Sequence, residues 1–269
     1  MHDFICLEEN ILDLWRQKSS LKDLQFKEAT ENCLNQMLEL LSLGKIRACE
    51  NINDHWTLNE WIKKGILLLF MTRKPSFQSK DQILYKDKIL PFSSNFLNEG
   101  VRLVPTSYVR QGVFLGNNVV VMPSFINIGA YVGESSMIDS YATIGSCAQI
   151  GNHCHISSGV VVAGVLEPLQ DMPVIIEDNC FVGAGCVISE GVIIREGAVL
   201  GAGVVLTSTT KILDIQSGII SHSEIPPYCV VVPGSIKSSN ANVLLQGAII
   251  TKKVDSETRK KVSVNHLLR

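Results

Sequence analysis

Along the middle of the chain one class of residue returns every sixth position. Phe114, Val120, Ile126, Val132, Ile138, Ile144, Ile150, Ile156 and Val162 are all apolar, and after one interruption the stride resumes at Ile176, Val182, Ile188, Ile194, Leu200, Leu206 and Ile212. Six is even, so in extended chain every sixth side chain points to the same face. A small or turn-prone residue often follows the apolar one, as in Ile144-Gly145, Ile150-Gly151, Val182-Gly183 and Leu200-Gly201. An apolar anchor, a bend and a short strand, repeated, predict a parallel β-helix built from hexapeptides.

The pattern divides the chain into three regions. Residues 1–100 are expected to form a mostly helical N-terminal domain with a connector, residues 101–212 the β-helix, and residues 213–269 a C-terminal capping segment. Phe26, Ala29, Cys33, Met37, Leu40 and Leu41 recur at helical spacing, and Gly44 is placed to end that helix. Leu58 to Met71 predicts a second helix, Lys45 to Cys49 a short strand between them, and Lys252 to Arg269 a charged terminal helix. Residues 76 to 100 lose periodicity. The caps are needed because the end strands of a solenoid expose unpaired backbone. The interruption from Val162 to Ile176 is fourteen residues, two hexads plus two, and holds Gly164-Val165-Leu166-Glu167-Pro168-Leu169-Gln170. It is expected to leave the coils as a loop, either as a plain surface excursion or as a place for function.

Charge and cysteine usage narrow the setting. A net charge of −2 announces no basic face, so nucleic acid is not an expected partner. Cys6, Cys33, Cys49, Cys147, Cys154, Cys180, Cys186 and Cys229 form no CxxC pair. Met1-His2-Asp3-Phe4 carries no basic secretory start, and the apolar run Gly65 to Met71 is far too short to span a membrane. A cytoplasmic protein with reduced thiols packed as small hydrophobes is expected, without membrane association.

No GxSxG, P-loop or HExxH motif is present. His153-Cys154-His155 is the densest cluster of ligand-type residues. Strand alternation puts both imidazoles on one face, where they are either outward polar residues or two ligands that need a third from another coil or subunit. Cys180 and Cys186, just before Phe181 and Val187, read as coil packing. Asp139 and Glu190 are the notable carboxylates within the repeat, and spacing alone does not raise either above an outward corner residue.

Longer blocks carry a more specific signal. Ile138-Asp139-Ser140-Tyr141-Ala142-Thr143-Ile144-Gly145-Ser146-Cys147-Ala148-Gln149-Ile150-Gly151 resembles the tetrahydrodipicolinate N-succinyltransferases of bacterial lysine biosynthesis. So do the Gly164–Gln170 segment, Ile175-Ile176-Glu177-Asp178-Asn179-Cys180-Phe181, Val109-Arg110-Gln111-Gly112, Asn127-Ile128-Gly129-Ala130-Tyr131-Val132, Lys252-Lys253-Val254-Asp255, and Asn265 with Leu267-Leu268-Arg269. The likeness covers nearly the whole chain and is weakest before residue 95. It implies a left-handed β-helix, a hand that runs against the usual crossover rule, in a homotrimer with active sites between subunits. It further implies succinyl transfer from succinyl-CoA, a co-substrate with no tightly bound cofactor or metal beside it, to the amine of ring-opened tetrahydrodipicolinate. Arg102, in Gly100-Val101-Arg102-Leu103-Val104-Pro105, matches the family's substrate-binding arginine, whose bidentate fork suits a dicarboxylate. Asp139 matches the family's aspartate, which binds the amine and takes its proton. Backbone N–H groups near the ejected loop, Gly164 among them, and Lys211, Lys237 and Lys252 are candidates for the thioester oxygen and the CoA phosphates.

Three departures stand against the resemblance. The family has Ala-Arg-x-Glu where this chain reads Ala184-Gly185-Cys186-Val187, so Val187 takes the place of a second carboxylate, and Glu190 lies three residues on. Ser158-Gly159 replaces paired glycines, and Tyr141 replaces the usual tryptophan. The leading reading is the succinyltransferase. The alternatives are a divergent member with another acyl-CoA or amino-acid acceptor, a non-catalytic trimeric scaffold, and a β-helical metalloenzyme similar to the γ-class carbonic anhydrases.

Overall fold

The computed structural model describes residues 2–19, 27–80, 83–169, 171–238, 242–255 and 257–259. The coils account for most of it. From Arg102 to Leu206 nearly every strand is two residues long, and each pairs in parallel with strands one coil below and above. Three sheets result, one of ten strands and two of six. In each strand the first residue faces out and the second faces in: Ile138, Ile144, Ile150, Ile156, Val162, Ile176, Val182, Ile188 and Ile194 are all buried in one continuous core. A second inward row lies two residues before each of these anchors and takes smaller side chains, Ala142, Ala148, Cys154, Val160, Cys180 and Cys186 among them. Cys180 and Cys186 are therefore coil packing, as expected. Their thiols donate to the carbonyls of Arg195 and Gly201, each at 3.1 Å, and burial raises both pKa values. All eight cysteines are free.

The phase differs from expectation at the first coil. Leu115 and Val121 face in, while Phe114 and Val120 are their outward neighbours. The cause is a short corner. Met122-Pro123-Ser124 joins the strand Val120–Val121 to Phe125–Ile126 with one residue fewer than other corners, so the inward step from Val121 to Ile126 is five. The interruption is also simpler than two hexads plus two. Val161–Val162 and Ile175–Ile176 lie on successive sheets, so the whole fourteen-residue step is one enlarged corner.

The N-terminal region holds α1 (His2–Arg16), α2 (Lys27–Ser42) and α3 (Glu60–Thr72). Gly44, at φ +66°, follows α2 as predicted, and its N–H donates to the Leu41 carbonyl at 3.0 Å. Phe26, from the predicted period, lies outside the described residues. The strand expected at Lys45 to Cys49 begins only at its last residue. Cys49–Ile52 (β1) pairs antiparallel with His55–Leu58 (β2) across Asn53-Asp54, both at positive φ, the two-residue turn that matches strand twist. A second hairpin, Ser76–Lys80 (β3) with Ile83–Asp87 (β4), occupies part of the predicted connector. Parallel pairing also runs past Ile212: Glu224–Ile225 and Cys229–Lys237 each add a strand to the coils. The antiparallel pair Cys229–Lys237 and Leu244–Lys253 then closes that end. Of the terminal helix predicted from Lys252 to Arg269, Lys252 and Lys253 belong instead to the strand Leu244–Lys253, where they pair with Val230 and Cys229; Glu257–Arg259 are helical, and residues 256 and 260–269 lie outside the described residues.

The helical domain sits on one column of coil corners. Ile128 and Cys147 belong to its hydrophobic cluster, and a Cβ on Gly129 would meet the Ile66 side chain and the Cys147 sulfur, each at 3.0 Å. The enlarged corner Ala163–Val174 is the next member of that column. There Lys63 of α3, wholly buried, donates to the carbonyls of Pro168 and Asp171, both at 2.9 Å. Desolvation lowers its pKa. A buried ammonium survives only with partners of this kind, so the loop and the lysine hold each other. Lys63→Met keeps the bulk and removes both donors. The expected result is faster hydrogen exchange and proteolysis confined to residues 163–174, with about 2 kcal/mol of local stability lost. Unchanged protection there would show that Leu166 packing alone retains the loop.

Candidate active site

The ten-stranded sheet carries an outward row formed by register: Arg102 opposite Val120, Val120 opposite Met137, Met137 opposite His155, and His155 opposite Phe181. Asp139 lies two residues past Met137, on the same side, where the chain turns its corner. Its Oδ1 accepts from the Ser140 N–H at 2.6 Å. Its Oδ2 lies 3.8 Å from His155 Nε2 on the adjoining coil. That nitrogen is buried and has no hydrogen-bond partner among the described residues. Phe181 meets the imidazole edge to face at 5.1 Å and 78°. Burial lowers the His155 pKa, and the Asp139 carboxylate opposes the shift. The carboxylate remains 29% accessible.

Two rungs separate the strand of Arg102 from that of Met137, which sets the two backbones roughly 10 Å apart at the usual spacing. A guanidinium on a long, exposed stem and a corner carboxylate on one face thus bracket a span of dicarboxylate size.

The neighbouring corners explain two departures from the family pattern. Tyr141 is 80% exposed at φ +60°, and Gly159, Gly185 and Gly203 repeat that left-handed position on successive coils. Ser158, where the family has glycine, donates from Oγ to the Ser140 carbonyl at 2.8 Å and ties its corner to the one below. Val187 is half-buried and faces out from a different sheet, opposite Val161 and Val205. It does not adjoin Asp139 within the chain. Glu190 is engaged elsewhere, accepting from the Ser208 N–H at 3.0 Å and from its hydroxyl.

The remaining candidates scatter. His153 is an exposed turn residue at φ +55°, Cys154 is in the core, and only His155 lies on a strand. Among the described residues no three metal-ligand side chains cluster. Gly164 is needed for close approach, since a Cβ there would lie 2.3 Å from the Ser146 nitrogen. Lys252 is paired with Asp255, and Lys237 is exposed at the far end of the same hairpin, roughly 24 Å away along the strand. Lys211 gives its carbonyl to the Ala248 N–H at 2.9 Å. These lysines do not converge on one phosphate within the chain.

A cleft of about 530 Å³ lies elsewhere, between the β1–β2 hairpin and the six-stranded sheet that contains Tyr131. Its lining sets four carboxylates, Asp54, Glu177, Asp178 and Glu196, against two arginines, Arg47 and Arg195. Trp56 and Arg195 both donate to Glu177 at 2.9 Å, and the Arg47 guanidinium lies 3.6 Å from the Tyr131 ring centroid. It reads as the polar seam between helical domain and coils. Nothing in the sequence singled out Arg47 or Lys63. His155 was singled out only as one half of a histidine pair.

A hexapeptide β-helix with a helical N-terminal domain and an outward carboxylate at a coil corner defines the class of hexapeptide-repeat transferases. The family described as "Tetrahydrodipicolinate N-succinyltransferase N-terminal" matches residues 6–72. "Bacterial transferase hexapeptide (six repeats)" matches residues 129–164, and "Hexapeptide repeat of succinyl-transferase" matches residues 173–208. The 2,3,4,5-tetrahydropyridine-2,6-dicarboxylate N-succinyltransferase of Wolbachia sp. subsp. Brugia malayi is 45% identical over 98% of both chains. That of Sodalis glossinidius is 42% identical over 98% of both. A Campylobacter jejuni structure assigned as a 2,3,4,5-tetrahydropyridine-2-carboxylate N-succinyltransferase superposes with a TM-score of 0.53 at 17% identity, over 86% of this chain and 64% of that one, and so supports the fold alone. The chain belongs to the tetrahydrodipicolinate N-succinyltransferase family, and its fold is the left-handed parallel β-helix.

Proposed function

We propose that this protein transfers the succinyl group of succinyl-CoA to the amine of ring-opened tetrahydrodipicolinate, in the diaminopimelate route to lysine. The single observation that carries the reading is Asp139: an accessible carboxylate at a coil corner, with one oxygen fixed by the backbone, in a chain 45% identical end to end to a relative named for that reaction. In the reaction the amine nitrogen attacks the thioester carbonyl, a C–N bond forms, the C–S bond breaks, and the amine proton passes to CoA thiolate by way of the base. Asp139 holds the amine and receives that proton. Arg102 grips a carboxylate of the acceptor bidentately. Gly164 and the loop around it supply backbone donors to the thioester oxygen, and Lys211, Lys237 and Lys252 serve the CoA phosphates. No tightly bound cofactor or metal is required by this chemistry, and a cytoplasmic location accords with a CoA co-substrate.

Val187 lies on a different sheet from Arg102 and Asp139 within one chain, and the lysines do not converge. This favours sites shared between subunits of a homotrimer. The exposed apolar side chains Tyr141, Val161 and Leu244 offer surface for such contacts. Light scattering is expected to give a mass near three times 29.5 kDa; a monomer at micromolar concentration overturns the shared-site reading.

Asp139→Asn keeps shape and removes the base. Thiol release from succinyl-CoA with the acceptor present is expected to fall by roughly 10²–10⁴-fold, with assembly and melting little changed. Near wild-type turnover would assign the base elsewhere. The divergent-member reading rests on Val187, an apolar side chain where the family keeps a carboxylate. Turnover of tetrahydrodipicolinate is expected to be weak, with partial recovery in Val187→Glu, provided melting confirms that the new charge is tolerated. Full activity without gain from the substitution would make the second carboxylate dispensable.

A further inference from the structure

His155 is a half-buried side chain with a buried nitrogen, Nε2, that the proposed reaction does not use. Its Nε2 is closed to solvent and unpartnered among the described residues, yet it points at Asp139 Oδ2 across 3.8 Å. A buried, unpaired nitrogen is costly and seldom retained without a use. The register of the coils fixes the pair. Met137 and His155 are opposed rungs, Asp139 follows Met137 by two residues, and Phe181 on the next coil closes the far side of the imidazole. The imidazole therefore has little freedom to swing away. Small motions of the half-buried carboxylate decide whether the gap closes to hydrogen-bonding distance.

We propose that His155 is a positioning residue for Asp139: its Nε2–H donates to Oδ2 when acceptor binds and fixes the carboxylate lone pair that meets the amine. In this role Nε2, which is enclosed, meets the carboxylate and not the substrate, so His155 acts through Asp139. With Oδ1 held by the Ser140 N–H and Oδ2 by the imidazole, the carboxylate has one set of lone pairs directed outward. An imidazole also gives the site a second titration. When protonated, His155 forms an ion pair with Asp139 and makes it a weaker base. Among the described residues, Asp139 is the charged group that acts on His155, while Phe181 and Met137, on the adjoining rungs, are uncharged. Burial holds the imidazole neutral to lower pH than usual. The acid limb that it contributes should therefore lie below the ordinary histidine range, with activity full above it and falling as pH drops through it.

The inference rests on the role proposed for Asp139, and a double-mutant cycle separates the two. His155→Leu removes the donor at similar bulk, and His155→Gln restores an N–H without a titrating group. With succinyl-CoA and tetrahydrodipicolinate, His155→Leu is expected to lower kcat 10–100-fold and leave the acyl-CoA KM unchanged. His155→Gln should recover most of that loss and remove the imidazole's acid limb from the pH profile. In the Asp139→Asn background, His155→Leu should cost nothing further. Equal losses in the Leu and Gln variants with an unaltered pH profile, or additive losses in the double variant, overturn the positioning role. An Asp139→Asn enzyme with full activity refutes instead the reading on which it stands.

Discussion

Everything in this molecule hangs on the rung-to-rung register of two-residue strands. Each coil offers only a few backbone hydrogen bonds per face, so stability accumulates by stacking identical inward side chains and not by any one strand. A fully buried Ile, Val or Leu contributes about 1.5–3 kcal/mol, and the inward row repeats it in every two-residue strand from Tyr108–Val109 to Val205–Leu206. The same register dictates where chemistry can occur. Two outward side chains of the coils meet only if they lie on one face, on the same or adjoining rungs and within about two residues of register, because neighbouring rungs are about 4.8 Å apart and the sheets turn away from each other. Asp139 and His155 satisfy that condition. Val187 and Asp139 do not.

The one enlarged corner shows how a rigid solenoid admits irregular structure. Leaving the coil at Ala163 and rejoining at Val174 disturbs neither neighbour, since the flanking strands still pair with the coils below and above. The excursion needs its own partners for exposed backbone carbonyls, and Lys63 supplies them. The helical domain is in this sense a continuation of the corner column, with Ile128, Cys147 and Leu166 entering its apolar cluster in sequence.

The β-helix was legible because its signal is redundant: an error in one hexad is outvoted by the rest. That same redundancy hid the slip at Met122-Pro123-Ser124. Phe114 and Leu115 are both apolar, as are Val120 and Val121, so either phase satisfied the pattern. The β1–β2 hairpin was marked by Asn53-Asp54 between two short alternating runs, a signal present but weaker than the helical periods around it. Lys63 was not legible. It sits in an otherwise apolar helix face and its partners are carbonyls a hundred residues away, which no local pattern encodes. Asp139 is singled out by family resemblance, whereas the orphaned nitrogen of His155 exists only in three dimensions.

The division between inward and outward positions also explains how the family's pattern can change at Gly185 and Val187 while the fold persists. Cys186, between them, faces the core and must remain small and apolar. Gly185 holds φ +68° with nothing within 4 Å of where a Cβ would stand, so the coil places no packing demand on that side chain and the left-handed backbone favours glycine. Val187 faces outward between Val161 and Val205, where a β-branched residue suits the pleat. Both changes are therefore neutral or favourable for the solenoid itself. Any cost falls on what the outer surface binds. A fold whose continuous core lies inside its coils leaves many of its outer rungs free to vary, and the acceptor pocket proposed for this chain is drawn from those rungs.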